Sequence, residues 1–224
     1  KFFVTNGMAY VTTYLGNAEY AAVPDLLGGY PVAGICKNAF SDHSNLKSII
    51  LPKTVASIEA GAFAGCSSLY TIAFAGENPF FQTGGNGAVF TADGKRLLCI
   101  PDGRTLVAYV VPDGVESIDD GAFSGQSNLA RVEIPKTVTA IGENAFWLGA
   151  FLTLYGPVAD CTAKTYAHDH GLGYNEYRVT FWDGDAELLS ALVTAGETIE
   201  SLTDVVNDYC TFGGWYRDAD LTDA

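Results

Sequence analysis

The stretch Leu51-Pro-Lys-Thr-Val-Ala-Ser-Ile-Glu-Ala-Gly-Ala-Phe63 returns as Ile134-Pro-Lys-Thr-Val-Thr-Ala-Ile-Gly-Glu-Asn-Ala-Phe146. The Ala-Phe pair that closes each copy also occurs at Phe40 and Phe123, so Phe40 and Phe63, like Phe123 and Phe146, lie 23 residues apart. Self-similarity at a period of about 20–30 residues marks stacked repeats, in which no unit buries its apolar face alone.

Outward from these copies, one unit reads Leu46, Ile49, Leu51, Val55, Ile58, Phe63, Cys66, Leu69, Ile72 and Phe74. Its apolar positions fall about three apart and are broken by Pro52, Gly61 and Gly65, which suits neither a long helix nor an alternating antiparallel strand. The pattern predicts coils of short parallel strands and tight turns, each coil stacking its apolar residues on those of the next. A second unit aligns with it through Val115, Ile118, Phe123, Leu129, Val132, Ile134, Val138, Ile141 and Phe146. Phe40, Phe63, Phe123 and Phe146, with Ile58, Ile118 and Ile141, are therefore the expected repeat core. Pro52, Pro112 and Pro135 are expected at one equivalent corner, where a missing N–H does no harm.

Between the clear pairs, Asn78 to Pro101 is irregular. Phe90-Thr-Ala-Asp-Gly-Lys95 reads as a hairpin turning at Asp93-Gly94. The run Thr83-Gly-Gly-Asn-Gly lacks the GxxxxGK[ST] spacing and the following helix of a phosphate loop.

The recurring L..I.IP..V..I...AF..C..L resembles the BspA-like leucine-rich repeat of bacterial surface proteins. The resemblance covers residues 1–176, including an N-terminal lead-in unit with Tyr10-Val-Thr-Thr-Tyr-Leu-Gly16 and Gly28-Gly-Tyr-Pro-Val-Ala-Gly-Ile35. It implies a leucine-rich-repeat solenoid of short parallel strands with turns and short helical or irregular segments, displaying a binding surface outside the cell. It supplies no catalytic residues. A cap helix is expected near 159–171, where Asp160, Ala163, Tyr166 and Ala167 suit a short helix that Gly171 would end.

The pattern changes at Tyr177. Val179 and Phe181 alternate with Thr180 and Trp182, and Asp183-Gly184-Asp185 turns the chain. VTFWDGD, AGETI and CTFGGWYRDADL resemble the small β-grasp-like surface repeat of the internalin B-repeat type over 177–224. That family's closing strand has no counterpart before Ala224, so the module is expected to be incomplete, as a mature or trimmed fragment starting at Lys1 would allow.

Of the 224 residues 48% are apolar and 17% charged, which argues for a folded chain. Net charge is −14, of which −8 falls in 177–224. That acidity argues against nucleic acid and anionic membranes as partners. No apolar run approaches membrane-spanning length. Five cysteines (Cys36, Cys66, Cys99, Cys161 and Cys210) without a CxxC pair are expected to be small buried thiols.

Candidate chemistry is sparse. His43 follows Phe40 as Cys66 follows Phe63 and Gln126 follows Phe123, a variable repeat position. His168 and His170, two apart on a helix, would not converge on a metal. Asp183, Asp185, Asp218 and Asp220 lack the EF-hand spacing of a calcium loop and read as solvated acidity. No catalytic, cofactor-binding or metal residues are expected, and the chain is read as no enzyme.

Tyr10, Tyr14, Tyr20, Tyr30 and Tyr70 fall outside the repeated apolar slots and are the candidate ligand contacts, since tyrosine gives large contact area at low entropy cost. The expected function is that of a monomeric, secreted or surface-attached bacterial interaction protein binding a host protein, matrix component or glycan. The alternatives are a passive spacer in a larger surface protein and an accessory glycan-binding module of a multidomain hydrolase.

Overall fold

The computed structural model describes residues 1–104, 106–146, 152–156 and 161–176, together with the strands Arg178–Asp183 and Ala186–Leu192. Each short apolar run becomes a strand of two to seven residues, because a glycine, proline or Asx turn ends it before it lengthens. The coils stack these strands into two parallel ladders. The first runs through Met8–Val11, Tyr30–Ile35 and Ser57–Ile58. It resumes with Arg96–Cys99, Ser117–Ile118 and Ala140–Ile141. The second runs through Tyr20–Ala22, Ser48–Leu51 and Thr71–Phe74, then Ala108–Val110, Arg131–Glu133, Thr153–Gly156 and Gly173–Glu176.

Like stacks on like, as the repeat alignment requires: Ile49 pairs with Ile72, and Ile118 with Ile141. The three prolines share one corner, where the N–H of the third residue on, Val55, Val115 or Val138, donates to the carbonyl of Pro52, Pro112 or Pro135 at 3.1–3.2 Å. Of the expected core, all are buried except Ile141, which packs against the interior half-buried because its neighbours end the first ladder.

The aromatic slots form a third stack. Phe40 N–H donates to Ala62 O, and Phe123 N–H to Ala145 O. The small alanine lets each ring lie on the next: Phe40 on Phe63 at 5.5 Å and Phe123 on Phe146 at 4.7 Å. Tyr14 N–H makes the same bond to Ala39 O at 2.7 Å, and its ring stacks on Phe40 at 5.1 Å. Tyr14 therefore occupies the aromatic slot of the lead-in coil, contrary to its reading as lying outside the repeats; the missing alanine before it hid the match. Tyr166 of the cap helix closes the other end against Phe146 at 5.6 Å. In the middle coil Ile100 takes the slot, its N–H bonding Ala122 O. The smaller side chain leaves a cavity of about 20 Å³ beside Phe63.

The irregular segment is a wedge. Phe81–Thr83 and Val89–Thr91 pair antiparallel, and Val89–Thr91 pairs again with Arg96–Cys99 across the turn at Gly94, whose φ is +73°. Alternation then sends Val89 and Leu98 into the N-terminal half of the core and Phe90 and Leu97 into the C-terminal half. The strand Phe81–Thr83 was not legible beforehand. Neither was the opening hairpin Phe2–Thr5 with Met8–Val11, although Asn6-Gly7 carries a hairpin turn signal.

The cap helix is Thr162–Asp169, with Ala163, Tyr166 and Ala167 buried and Gly171 (φ +66°) ending it. Asp160 lies outside the described residues. A further parallel strand, Gly173–Glu176, follows the helix; its polar sequence gave no strand signal. The expected small module is described only as the antiparallel strands Arg178–Asp183 and Ala186–Leu192; Cys210, Asp218 and Asp220 lie outside the described residues.

Three residues after the Phe63 and Phe123 slots the side chain is a peg rather than a free site. Cys66 Sγ–H donates to Phe40 O at 2.8 Å, and burial pushes that thiol up to about 11. Gln126, 2% exposed, donates from Nε2 to Pro101 O at 2.9 Å and accepts Leu106 N–H at 3.1 Å. Gln126→Leu would leave both backbone groups unpaired in the interior and is expected to cost about 2 kcal/mol, read by chemical denaturation. His43 holds its Nδ1 2.9 Å from Ser41 O and its ring 4.9 Å from Tyr14. The buried-thiol expectation holds for Cys66; Cys36, Cys99 and Cys161 are free and half-buried, because each sits at a strand or helix end.

Candidate recognition site

The second ladder alternates strictly, so one face looks inward and the other to solvent. Ile49, Leu51, Ile72, Tyr109, Val132 and Leu154 are buried. The outward face carries Tyr20, Ile50, Val110, Glu133 and Tyr155, with Tyr20 63% and Val110 61% exposed. Parallel pairing sets Tyr20 beside Ser48, with Thr71 on the strand beyond, and Ile50 between Ala22 and Ala73.

At the N-terminal end of this face two of the five candidate tyrosines meet. Tyr70 lies beside Tyr20, and interaction with the Tyr20 phenol holds the Tyr70 proton above its ordinary range. Beside them Lys47 Nζ pairs with Glu19 Oε2 at 2.9 Å, and the bond raises the Lys47 ammonium. Arg104 Nε donates to Tyr70 O at 2.9 Å. At the far end Arg131 lies 3.9 Å over the Tyr155 ring and pairs with Glu133 at 3.0 Å. The face thus runs from phenolic and aliphatic to charged.

The other candidates sit elsewhere. Tyr10 stacks on Phe3 at 5.2 Å and lies over Gly34, where a Cβ would come 2.6 Å from its ring. Tyr30 is exposed at the start of Tyr30–Ile35 on the first ladder. His168 is exposed beside Asp169 at 3.2 Å, whereas His170 stacks on Tyr166 at 3.9 Å.

A second polar feature lies on the turn side. Two residues after the aromatic slots the chain reads Gly16, Asp42, Gly65, Asp102 and Gly125 in successive coils. Each aspartate lies against the glycine of the following coil: a Cβ on Gly65 would overlap Asp42 Oδ1, and one on Gly125 would overlap the Asp102 carboxylate. Asp102 is 7% exposed. Burial raises its pKa, against hydrogen bonding from the backbone of Gly65, Gly125 and Cys66. An acid whose folded pKa lies above its unfolded one stabilises the fold less as pH rises through that window. Asp102→Asn is therefore expected to gain stability on the native chain between the ordinary carboxylate value of 3.8 and neutral pH, and none below it, measured as paired thermal melts across pH.

The stacked aromatic slots, the shared proline corner and the two ladders recur coil after coil, and the profile of the BspA type leucine-rich repeat region matches residues 32–84 and 103–153 in six copies. The chain carries BspA-type leucine-rich repeats. A Listeria-Bacteroides repeat domain follows over 177–224. Among solved structures the chain is similar to a leucine-rich repeat protein from Eubacterium ventriosum (22% identity, TM-score 0.45, 65% of this chain and 45% of that one). It is also similar to a leucine rich cell surface protein from Faecalibacterium prausnitzii (18%, 0.34, 68% and 73%) and to the pneumococcal vaccine antigen PcpA (18%, 0.39, 58% and 43%). The chain spans less than half of the Eubacterium protein's length. No curated protein matches it. The leucine-rich-repeat surface-protein family suggests a protein-interaction role, and both repeat types are typically non-catalytic.

Proposed function

We propose that the repeats form a non-catalytic recognition module, secreted or held at a bacterial surface, whose contact face is the outward side of the second ladder. The observation that carries this reading is the exposed face with Tyr20, Ile50 and Val110, and Tyr70 beside Tyr20, apolar area that the solenoid itself does not cover. Tyrosine gives large contact area at low entropy cost. The partner is an extracellular protein or glycan, met by a monomer, and the segment 177–224 serves as a spacer. The test is a binding screen of the whole chain against extracellular-matrix proteins and a glycan array, beside a Tyr20→Ala/Tyr70→Ala variant. A saturable partner lost by at least tenfold in that variant supports the reading. A partner indifferent to it places recognition elsewhere, and no partner at all favours a spacer.

A further inference from the structure

The first layer of the solenoid is finished on one side only. In the first ladder the hairpin strand Phe2–Thr5 lies beyond Met8–Val11 and adds one more layer. In the second ladder Tyr20–Ala22 is the end. It pairs with Ser48–Leu51 on one edge, and among the described residues no strand pairs with the other. Glu19 O accepts the Lys47 and Ser48 N–H groups, and Val23 N–H donates to Ile50 O. Residues 19 and 23, with Ala21 between them, therefore turn their backbone polar groups to the ladder. Alternation turns the N–H and C=O of Tyr20 and Ala22 the other way, off its end.

The side chains around that edge are those of an unfilled layer. Ala21 faces inward opposite Ile49 and is only half-buried, a methyl group where the next two coils carry Ile49 and Ile72. Phe2 and Val4 share the inward face with their pairing partners Val11 and Ala9, which are both buried. They nevertheless stay 40% and 39% exposed, since their layer has no strand in the second ladder.

What this edge takes follows from its parts. Its backbone asks for alternating donors and acceptors along an extended chain. Ala21, Phe2 and Val4 ask for apolar side chains on one face of that chain. A glycan supplies hydroxyls for the first and nothing for the second. A two-fold pair of this protein would join like edges antiparallel, whereas the second ladder is parallel at every step.

We propose that this edge binds an extended segment of a partner protein, which adds a parallel strand to Tyr20–Ala22 and seats alternate apolar side chains against Ala21, Phe2 and Val4. The segment's other side chains lie beside Tyr20 on the outward face, so the inference rests on the recognition face proposed above and makes its partner a protein.

The test is an amide NMR titration of the whole chain with a synthetic peptide of residues 45–52, Asn-Leu-Lys-Ser-Ile-Ile-Leu-Pro, which contains the strand that Tyr20–Ala22 already accepts on its paired edge. Saturable movement of the Tyr20, Ala22, Phe2 and Val4 amides is expected. In the ladder Lys47 O accepts Tyr70 N–H of the following coil, so the Ile49 backbone faces that way and the Ile50 backbone the other. N-methylation of the peptide at Ile49 should therefore abolish binding, and N-methylation at Ile50 should leave it. In the chain, Ala22→Pro removes an N–H from an edge where proline is tolerated, and should weaken binding at least tenfold. Unchanged amides from Thr71 onward establish that this variant folds. Applied to a partner from the binding screen, loss in Tyr20→Ala/Tyr70→Ala with full binding in Ala22→Pro keeps the recognition face and overturns the added strand. The proposal is also overturned if the peptide does not saturate those amides or if the two N-methylated peptides bind alike. Sedimentation showing dimers of the chain that Ala22→Pro removes would overturn it too, by giving the edge to a second copy.

Discussion

Phe123→Ala is expected to cost about 3–5 kcal/mol, more than any other single truncation in the chain. Phe123 has no exposed surface, stacks on Phe146 at 4.7 Å and meets the edge of Tyr109 at 5.4 Å. Its backbone also bridges to Phe146, so the side chain and the ladder it belongs to are ordered together. Deleting the ring removes apolar area and leaves a cavity that the flanking coils cannot close, because each is pinned by its own ladder bonds. Phe63→Ala removes the same ring from a site that already borders the small cavity beside Ile100, and is expected to cost less. His43→Ala should cost least of the three. Thermal melts of the three variants give the order, and a fall of about 10 °C for Phe123→Ala corresponds to the expected energy in a chain of this size. Equal melting temperatures for Phe123→Ala and His43→Ala would overturn the assignment of the aromatic stack.

Gly142→Ala is the second large effect, and it reports on coil spacing rather than on the core. Gly142 does not hold a left-handed backbone, so alanine is not strained there by conformation. Its added methyl would instead sit 2.5 Å from Asp120 Cα and 2.8 Å from Asp119 C, backbone of the coil before. That backbone is held by Asn144 N–H donating to Asp120 Oδ1 at 2.8 Å and by Gly142 N–H donating to Ile118 O at 2.8 Å. Two coils must part to admit the methyl, and about 3 kcal/mol is expected from such overpacking. Gly114 offers the opposite case: its φ is +90° and nothing lies within 4 Å of a Cβ. Gly114→Ala should lose only the left-handed strain, about 1–2 kcal/mol. Urea denaturation of the pair separates crowding from strain, and a smaller loss at Gly142 than at Gly114 would contradict the close coil contact.

The solenoid was legible because stacking puts identical residue types on one another, so Phe40, Phe63, Phe123 and Phe146 announce their slot by recurrence. Recurrence also sets the limit. Tyr14 and Ile100 fill the same slot, yet neither follows an alanine, and a different residue type in a shared position carries no periodic signal. Gln126 and Cys66 look unrelated as letters and do one job, reaching back to a carbonyl of the coil before. Gly173–Glu176 pairs because the ladder offers it an open edge, a tertiary reason that its own polar residues do not encode. The face around Tyr20 and Tyr70 was half visible: the residue type was informative, but residues 50 apart meet only once the coils are stacked. Asp102 was missed altogether, since its meaning lies in the glycines above and below it.

Those glycines also bear on how such a chain changes length. Asp and Gly alternate down the turn side from Gly16 to Gly125, so the stack repeats every second coil rather than every coil. Losing one coil between Asp42 and Asp102 would lay carboxylate on carboxylate, two like charges in a partly dry place. Losing two would restore aspartate over glycine. Deletion of the single coil at Gly65 is therefore expected to cost more than deletion of the Gly65 and Asp102 coils together, which keeps aspartate over glycine.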